Sequence, residues 1–150
     1  MGLNKGYFVL LSIIFCLTAK AQTFDFKIDH FAIVVDDVNK SAEFYGEILR
    51  LKETPHPDKA PGFRWFLVDN SYQIHLIQKE FAPFEKNKSM HLCLATKDLK
   101  GIIAHLEKNN ISYSDWPGEK NAITLRADGV QQIYLQDPDG YWIEINTAQH

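Results

Sequence analysis

Two nine-residue stretches of the chain follow one pattern of polar and apolar positions, 61 residues apart. His30-Phe31-Ala32-Ile33-Val34-Val35-Asp36-Asp37-Val38 aligns with His91-Leu92-Cys93-Leu94-Ala95-Thr96-Lys97-Asp98-Leu99. Each opens on a histidine, runs through small or apolar residues, and reaches an aspartate followed by a branched residue, the pattern of a mostly buried strand. Beyond each copy the apolar spacing switches to three and four. Val38, Ser41, Tyr45 and Ile48 share one face, with Phe44 and Leu49 beside them, and Leu99, Ile102, Ile103 and Leu106 do the same in the second copy. An amphipathic helix is expected after each strand. Asp37 and Asp98 stand where N-caps belong, and Asn109-Asn110 supplies a stop.

Strand-like runs follow each helix. In the first copy they are residues 51–54, 63–68 and 72–78, the last two joined by a turn at Asp69-Asn70-Ser71. In the second they are 111–116, 122–126, 131–136 and 141–146, the stretch 122–136 reading also as one strand broken at Asp128-Gly129. Asp137-Pro138-Asp139-Gly140 has the residues of a tight turn, with proline pre-set for its second position. Each repeat is therefore βαβββ, over about residues 28–80 and 89–147. A module of roughly 60 residues is marginal alone. The expected fold is α+β, two βαβββ modules pairing into a curved mixed sheet around a central metal-binding cleft.

That metal follows from polar residues in apolar strands. His30 and His91 open the first strand of each module, and Gln73-Ile74-His75-Leu76 and Trp142-Ile143-Glu144-Ile145 lie on the last. With period-two alternation, His75 and Glu144 point away from the isoleucines and leucine flanking them. A carboxylate in such a strand needs a partner. His30, His75, His91 and Glu144 converging on one divalent cation would satisfy one another. His56, His105 and His150 lack this placement. Arg64, Trp65, Arg126 and Trp142 are candidates to line the cleft and hold an anionic or planar substrate, surface arginines and core tryptophans being the other reading.

The first 21 residues stand apart from this repeat. They contain no acidic residue, carry Lys5 near the start, run through the apolar stretch 7–18, and end in Ala19-Lys20-Ala21. This reads as a signal peptide cleaved before Gln22, too short for a permanent span of about 20 residues. The expectation is an exported chain, periplasmic or secreted, with residues 22–150 as one domain and no membrane attachment after cleavage. Cys93 is then the one cysteine left, so no intrachain disulfide forms, and its apolar neighbours suggest a buried small hydrophobe. The net charge of −3 over the whole chain, without a basic cluster, argues against nucleic acid as partner.

Paired βαβββ modules with such residues on their outer strands resemble the vicinal oxygen chelate superfamily: glyoxalase I, methylmalonyl-CoA epimerase, extradiol dioxygenases, and the fosfomycin and bleomycin resistance proteins. The matching stretches are residues 29–37, Phe44-Tyr45, Gln73-Ile74-His75-Leu76, Met90-His91-Leu92 and residues 137–144. The resemblance implies that His30, His75, His91 and Glu144 occupy the family's four metal-ligand positions, holding one divalent ion (Zn, Ni, Co, Mn or Fe). It implies a homodimer, with the site inside one chain or shared between two. It further implies a glyoxalase I-like lyase or isomerase, acting through a metal-stabilised enediolate on a small substrate with neighbouring oxygens. Glu144 would double as the catalytic base. His75 departs from glyoxalase I, which has a carboxylate or glutamine there, and from the epimerase's glutamine. His30, His91 and Glu144 also match the two-histidine, one-carboxylate triad of extradiol dioxygenases, so a non-haem Fe(II) dioxygenase is the alternative. A ligand-sequestering protein of the bleomycin-resistance type is the third reading. Export would keep the chain from cytosolic glutathione adducts, favouring a different small oxygenated compound.

Overall fold

The computed structural model describes residues 27–80 and 85–149. The proposed signal peptide and His150 lie outside them. Among the described residues no helix is long and apolar enough to cross a membrane.

Both repeats fold as βαβββ. The first comprises β1 (His30–Val35), α1 (Val38–Glu43), β2 (Lys52–Thr54), β3 (Phe63–Val68) and β4 (Tyr72–Gln78). The second comprises β5 (His91–Ala95), α2 (Leu99–Lys108), β6 (Thr124–Leu125), β7 (Gln131–Gln136) and β8 (Trp142–Asn146). The strands form two four-stranded mixed sheets, ordered β1-β4-β3-β2 and β5-β8-β7-β6. In each, the first strand pairs parallel with the last, and the remaining pairs are antiparallel. The helical crossover between strands is what makes the parallel pairing reachable.

The caps form where expected. The Asp37 carboxylate accepts from the amides of Asn39 and Lys40, and that of Asp98 from Gly101. Asn109 closes α2. α1 runs on into a π-helical turn at Phe44–Ile48 rather than continuing regularly, and adjacent Phe44 and Tyr45 are both buried. Two expectations fail. Residues 111–116 are not a strand: only Ser114 makes isolated bridges, to Lys120 and Tyr134. The run 122–126 shrinks to a two-residue strand, and the break at Asp128-Gly129 is a turn, with Arg126 and Val130 paired across it. Both segments spend their polar groups on a local loop instead: Asp115 Oδ1 accepts from Gly118 and Glu119, and Thr124 Oγ1 from the Trp116 amide.

One contiguous core unites the modules. Ile33, Val35, Phe66, Ile74 and Leu76 of the first sheet join Ile133, Leu135, Ile143 and Ile145 of the second, together with Val38, Tyr45 and, from α2, Leu99 and Leu106. The turn Asp137-Pro138-Asp139-Gly140 stitches the halves together. Gly140 takes φ of 83° there, a left-handed conformation that favours glycine. Asp139 accepts from the Asp36 amide and the Ser41 hydroxyl, and Tyr141 Oη donates to the Val34 carbonyl. Since both sheets give one face to this core, each has a second face turned away from it. The candidate site residues stand on those second faces.

Candidate metal and ligand site

The two second faces are equivalent by register. His75 lies opposite Ala32 on one side and Trp65 on the other. Glu144 lies opposite Cys93 and Tyr134 in the same way. His30 and His91 each sit two residues before those partners on the first strand, so they share a face with His75 and Glu144 respectively. The repeat thus gives two half-sites of the same design and different chemistry.

The first half-site is a stack of rings. His30 and His75 lie with ring centroids 4.1 Å apart and 11° between planes. Trp65 covers the other side of His75 at 4.0 Å and 7°. His30 Nδ1 donates to the Asp29 carboxylate at 2.6 Å, leaving Nε2 as its acceptor. His75 Nε2 donates to Gln73 Oε1 at 2.8 Å, leaving Nδ1. Burial and the adjacent His30 push the His75 pKa down, so it stays a neutral ring.

The second half-site is a hydrogen-bonded carboxylate. Glu144 is 6% exposed. Its Oε2 accepts from Tyr134 Oη at 2.6 Å, and Gln132 Nε2 donates to that hydroxyl at 2.5 Å. Oε1 accepts from Asn146 Nδ2 at 2.7 Å and from the Cys93 thiol at 3.4 Å. Burial pushes the Glu144 pKa up, but the bonds from Tyr134, Asn146 and Cys93 and the proximity of His91 outweigh it and hold the carboxyl below its ordinary value. The Tyr134 hydroxyl is pushed well up by burial and by Glu144, so it remains a donor. His91 Nδ1 donates to the Lys88 carbonyl at 2.8 Å, which fixes the tautomer. Its Nε2 then faces Glu144 Oε2 at 3.2 Å. An imidazole lone pair facing a carboxylate oxygen is completed by a shared cation, either a proton or a metal ion. Anchoring the far ring nitrogen in this way is how metal-binding histidines are oriented.

The structure therefore joins His30 with His75, and His91 with Glu144. Among the described residues, no group of three or more His, Cys, Asp or Glu side chains is placed to hold a metal ion. The donor types fit a divalent ion, but the complete set does not converge.

The proposed cleft residues divide. Trp65 stacks on His75, and Trp142, cross-strand partner of His91, donates from Nε1 to the Lys86 carbonyl at 3.0 Å. Arg126 shares the Glu144 face by alternation, near enough to Cys93 to act on its thiol, while pairing with Asp128 at 2.5 Å. Arg64 stands on the opposite face from Trp65, in ion pair with Glu53 and bonded to Asn39 Oδ1. Neighbouring residues of one strand cannot both face the same side. Cys93 is also misplaced by the sequence reading. It is on the open face rather than in the core, and burial together with Glu144 pushes its thiol up to about 12, so it is a protonated, unreactive donor. Tyr134, Gln132 and Asn146 complete this half-site, and their alternation with Ile133, Leu135 and Ile145 is the signal in the sequence that puts them on its face.

The model of the Glyoxalase/Bleomycin resistance protein/Dioxygenase superfamily matches residues 27–145. The chain belongs to this superfamily. The uncharacterized protein YwbC of Bacillus subtilis (strain 168) is 32% identical over 124 residues, 79% of this chain and 94% of its own. The structure of Oxidase ChaP-H2 matches with a TM-score of 0.70 at 21% identity, covering 85% of this chain and 97% of that one. A glyoxalase/dioxygenase from Nostoc punctiforme matches with a TM-score of 0.66 at 24% identity, covering 83% and 92%. At these identities the two structures show the fold.

Proposed function

We propose that this protein is a divalent-metal enzyme whose donors are His30, His91 and Glu144, acting on a small oxygen-bearing substrate. The observation that carries the reading is the matched tautomer of His30 and His91. Each has Nδ1 anchored to an outer acceptor and presents Nε2, and Glu144 is held ionised beside one of them. A divalent ion in a two-histidine, one-carboxylate set supplies Lewis-acid polarisation of substrate oxygens and, when it is iron, oxygen activation. Three donors leave positions open for oxygen, so oxygenase chemistry is the form of this proposal that the set supports, with lyase or isomerase chemistry as the alternative. The printed names of the structural neighbours, an oxidase and a glyoxalase/dioxygenase, are consistent with either.

The chain's own residues contribute orientation and charge. Tyr134, Asn146 and Cys93 fix the carboxylate of Glu144, and the Lys88 carbonyl fixes the ring of His91. The Trp65–His75–His30 stack forms a flat wall. Because the two half-sites lie on faces turned from the common core, we propose that a second copy completes the site, the first half of one chain meeting the second half of its partner in a homodimer. Export of residues 22–150 after cleavage remains part of the proposal.

A second reading is favoured by the 4.1 Å contact of His75 with His30. Rotation of the His75 ring would add a fourth donor and favour redox-neutral chemistry, in which Glu144 accepts the substrate's proton. Metal content of a His75→Ala variant separates the two. Retention of about one ion per chain with oxygen uptake supports the three-donor reading. Loss of metal to the level of His30→Ala supports the four-donor one, and no metal in the unaltered protein refutes both.

A further inference from the structure

Beside the Glu144 half-site stands the indole of Trp116, in contact with the tyrosine that holds the carboxylate. Trp116 is 45% exposed, yet its backbone is bonded on both sides of the peptide unit and its ring rests on Tyr134. Its amide donates to Thr124 Oγ1 at 2.7 Å, and its carbonyl accepts from Lys88 Nζ at 3.2 Å. Lys88 Nζ also reaches Ser114 Oγ at 3.3 Å and the Asp115 carbonyl at 3.0 Å, so one ammonium fastens the whole segment 114–116. The same ammonium lies 4.7 Å from the centre of the Trp142 ring and 5.2 Å from that of Tyr134. The Trp116 ring meets Tyr134 edge-on at 5.4 Å. Tyr134 in turn holds Glu144, and its ring meets His91 edge-on at 5.7 Å.

A large apolar side chain left half in water is ordinarily free to move. Here Lys88 and Thr124 fix the backbone that carries the indole, and the indole itself meets the ring that orients the carboxylate. A fixed indole offers contact area at little further cost in order, and it favours flat conjugated groups over flexible aliphatic ones. We propose that Trp116 is a specificity-determining residue of this site, forming a side wall for a planar conjugated group carried by the substrate. The inference rests on the reading of His91 and Glu144 as part of a ligand site, and it names the substrate class that this site accepts.

The test uses the full chain loaded with zinc and two probes. Tropolone carries adjacent oxygens on a flat ring, and acetohydroxamate carries adjacent oxygens without a ring. Affinities are measured by calorimetry for the unaltered protein, Trp116→Ala and Trp116→Phe. The expected result is a loss of roughly three- to tenfold in tropolone affinity for Trp116→Ala, with acetohydroxamate unchanged and with Trp116→Phe close to the unaltered protein. Equal effects on both probes, no effect on tropolone, no binding of tropolone at all, or failure of Trp116→Phe to restore it would overturn the inference. Zinc content of the same samples reports on the metal reading separately. If zinc does not bind, the same titrations on the metal-free chain decide the role of Trp116 by the same criteria.

Discussion

The hydroxyl of Tyr45 donates a hydrogen bond of 3.0 Å to Oδ2 of Asp137, across 92 residues of sequence and between the two modules. Both groups are buried. The other oxygen of Asp137 accepts from the amides of Asp139 and Tyr141, so Tyr45 is the one side chain among those described that satisfies Oδ2. Removing the hydroxyl with Tyr45→Phe leaves a buried carboxylate oxygen without its donor. The expected cost is about 2 kcal/mol, read by urea denaturation, since bonds to charged groups are worth more than neutral ones.

The same carboxyl predicts a pH dependence. Burial raises the Asp137 pKa above its ordinary 3.8, more than its hydrogen bonds lower it. A carboxyl with a raised folded-state pKa contributes stability that is complete below 3.8 and is lost as pH rises through the folded value. Asp137→Asn, which keeps an acceptor for Tyr45, should lose less stability than the unaltered protein over that rise. Denaturation midpoints of the two proteins measured across the acid range give the comparison, and parallel curves would refute the role of Asp137.

Helix α2 should show a non-additive pair. A Cβ on Gly101 would lie 2.1 Å from Asp98 Oδ2, so alanine at that position displaces the cap. Gly101→Ala alone should therefore gain nothing, its helix-propensity benefit of about 1 kcal/mol being offset by loss of a cap of similar worth. In the Asp98→Ala background the same substitution should stabilise by about 1 kcal/mol. A double-mutant cycle by thermal or chemical denaturation checks this.

Arg64 yields a prediction from its facing. It pairs with Glu53 on the side of the sheet away from His75, and both side chains are over a third exposed. Arg64→Gln should leave metal content and probe affinity unchanged and cost less than about 1 kcal/mol. A loss of ligand binding would show that the face assignment is wrong.

These cases also show what could be read from the residues. The doubled module was legible because strand alternation, the switch to helical spacing and the Asp37 and Asp98 caps all agree. The pairing of His30 with His75, and of His91 with Glu144, follows from the same alternation once parallel register joins first and last strands. Arg64 and Trp65 are adjacent on one strand, so the same alternation excludes the expectation that both line the cleft. The false strand at 111–116 arose because Ile111, Tyr113 and Trp116 are apolar enough for a sheet, while Asp115 folds the backbone onto itself as a loop. The apolar neighbours of Cys93 predict a core position, but those neighbours face the core and Cys93 stands on the other side of the strand. Whether the two half-sites meet lies beyond local pattern. It depends on which surfaces two copies bring together.

Complementation between copies addresses that point most directly. His30→Ala and His91→Ala are purified separately, then mixed under conditions that exchange subunits, and metal per chain is measured. The expected result is little metal in either variant alone and recovery in the mixture to about one ion per four chains, because only mixed dimers assemble one intact site from the undamaged halves. A mixture that stays as empty as its components would contradict a site shared between copies.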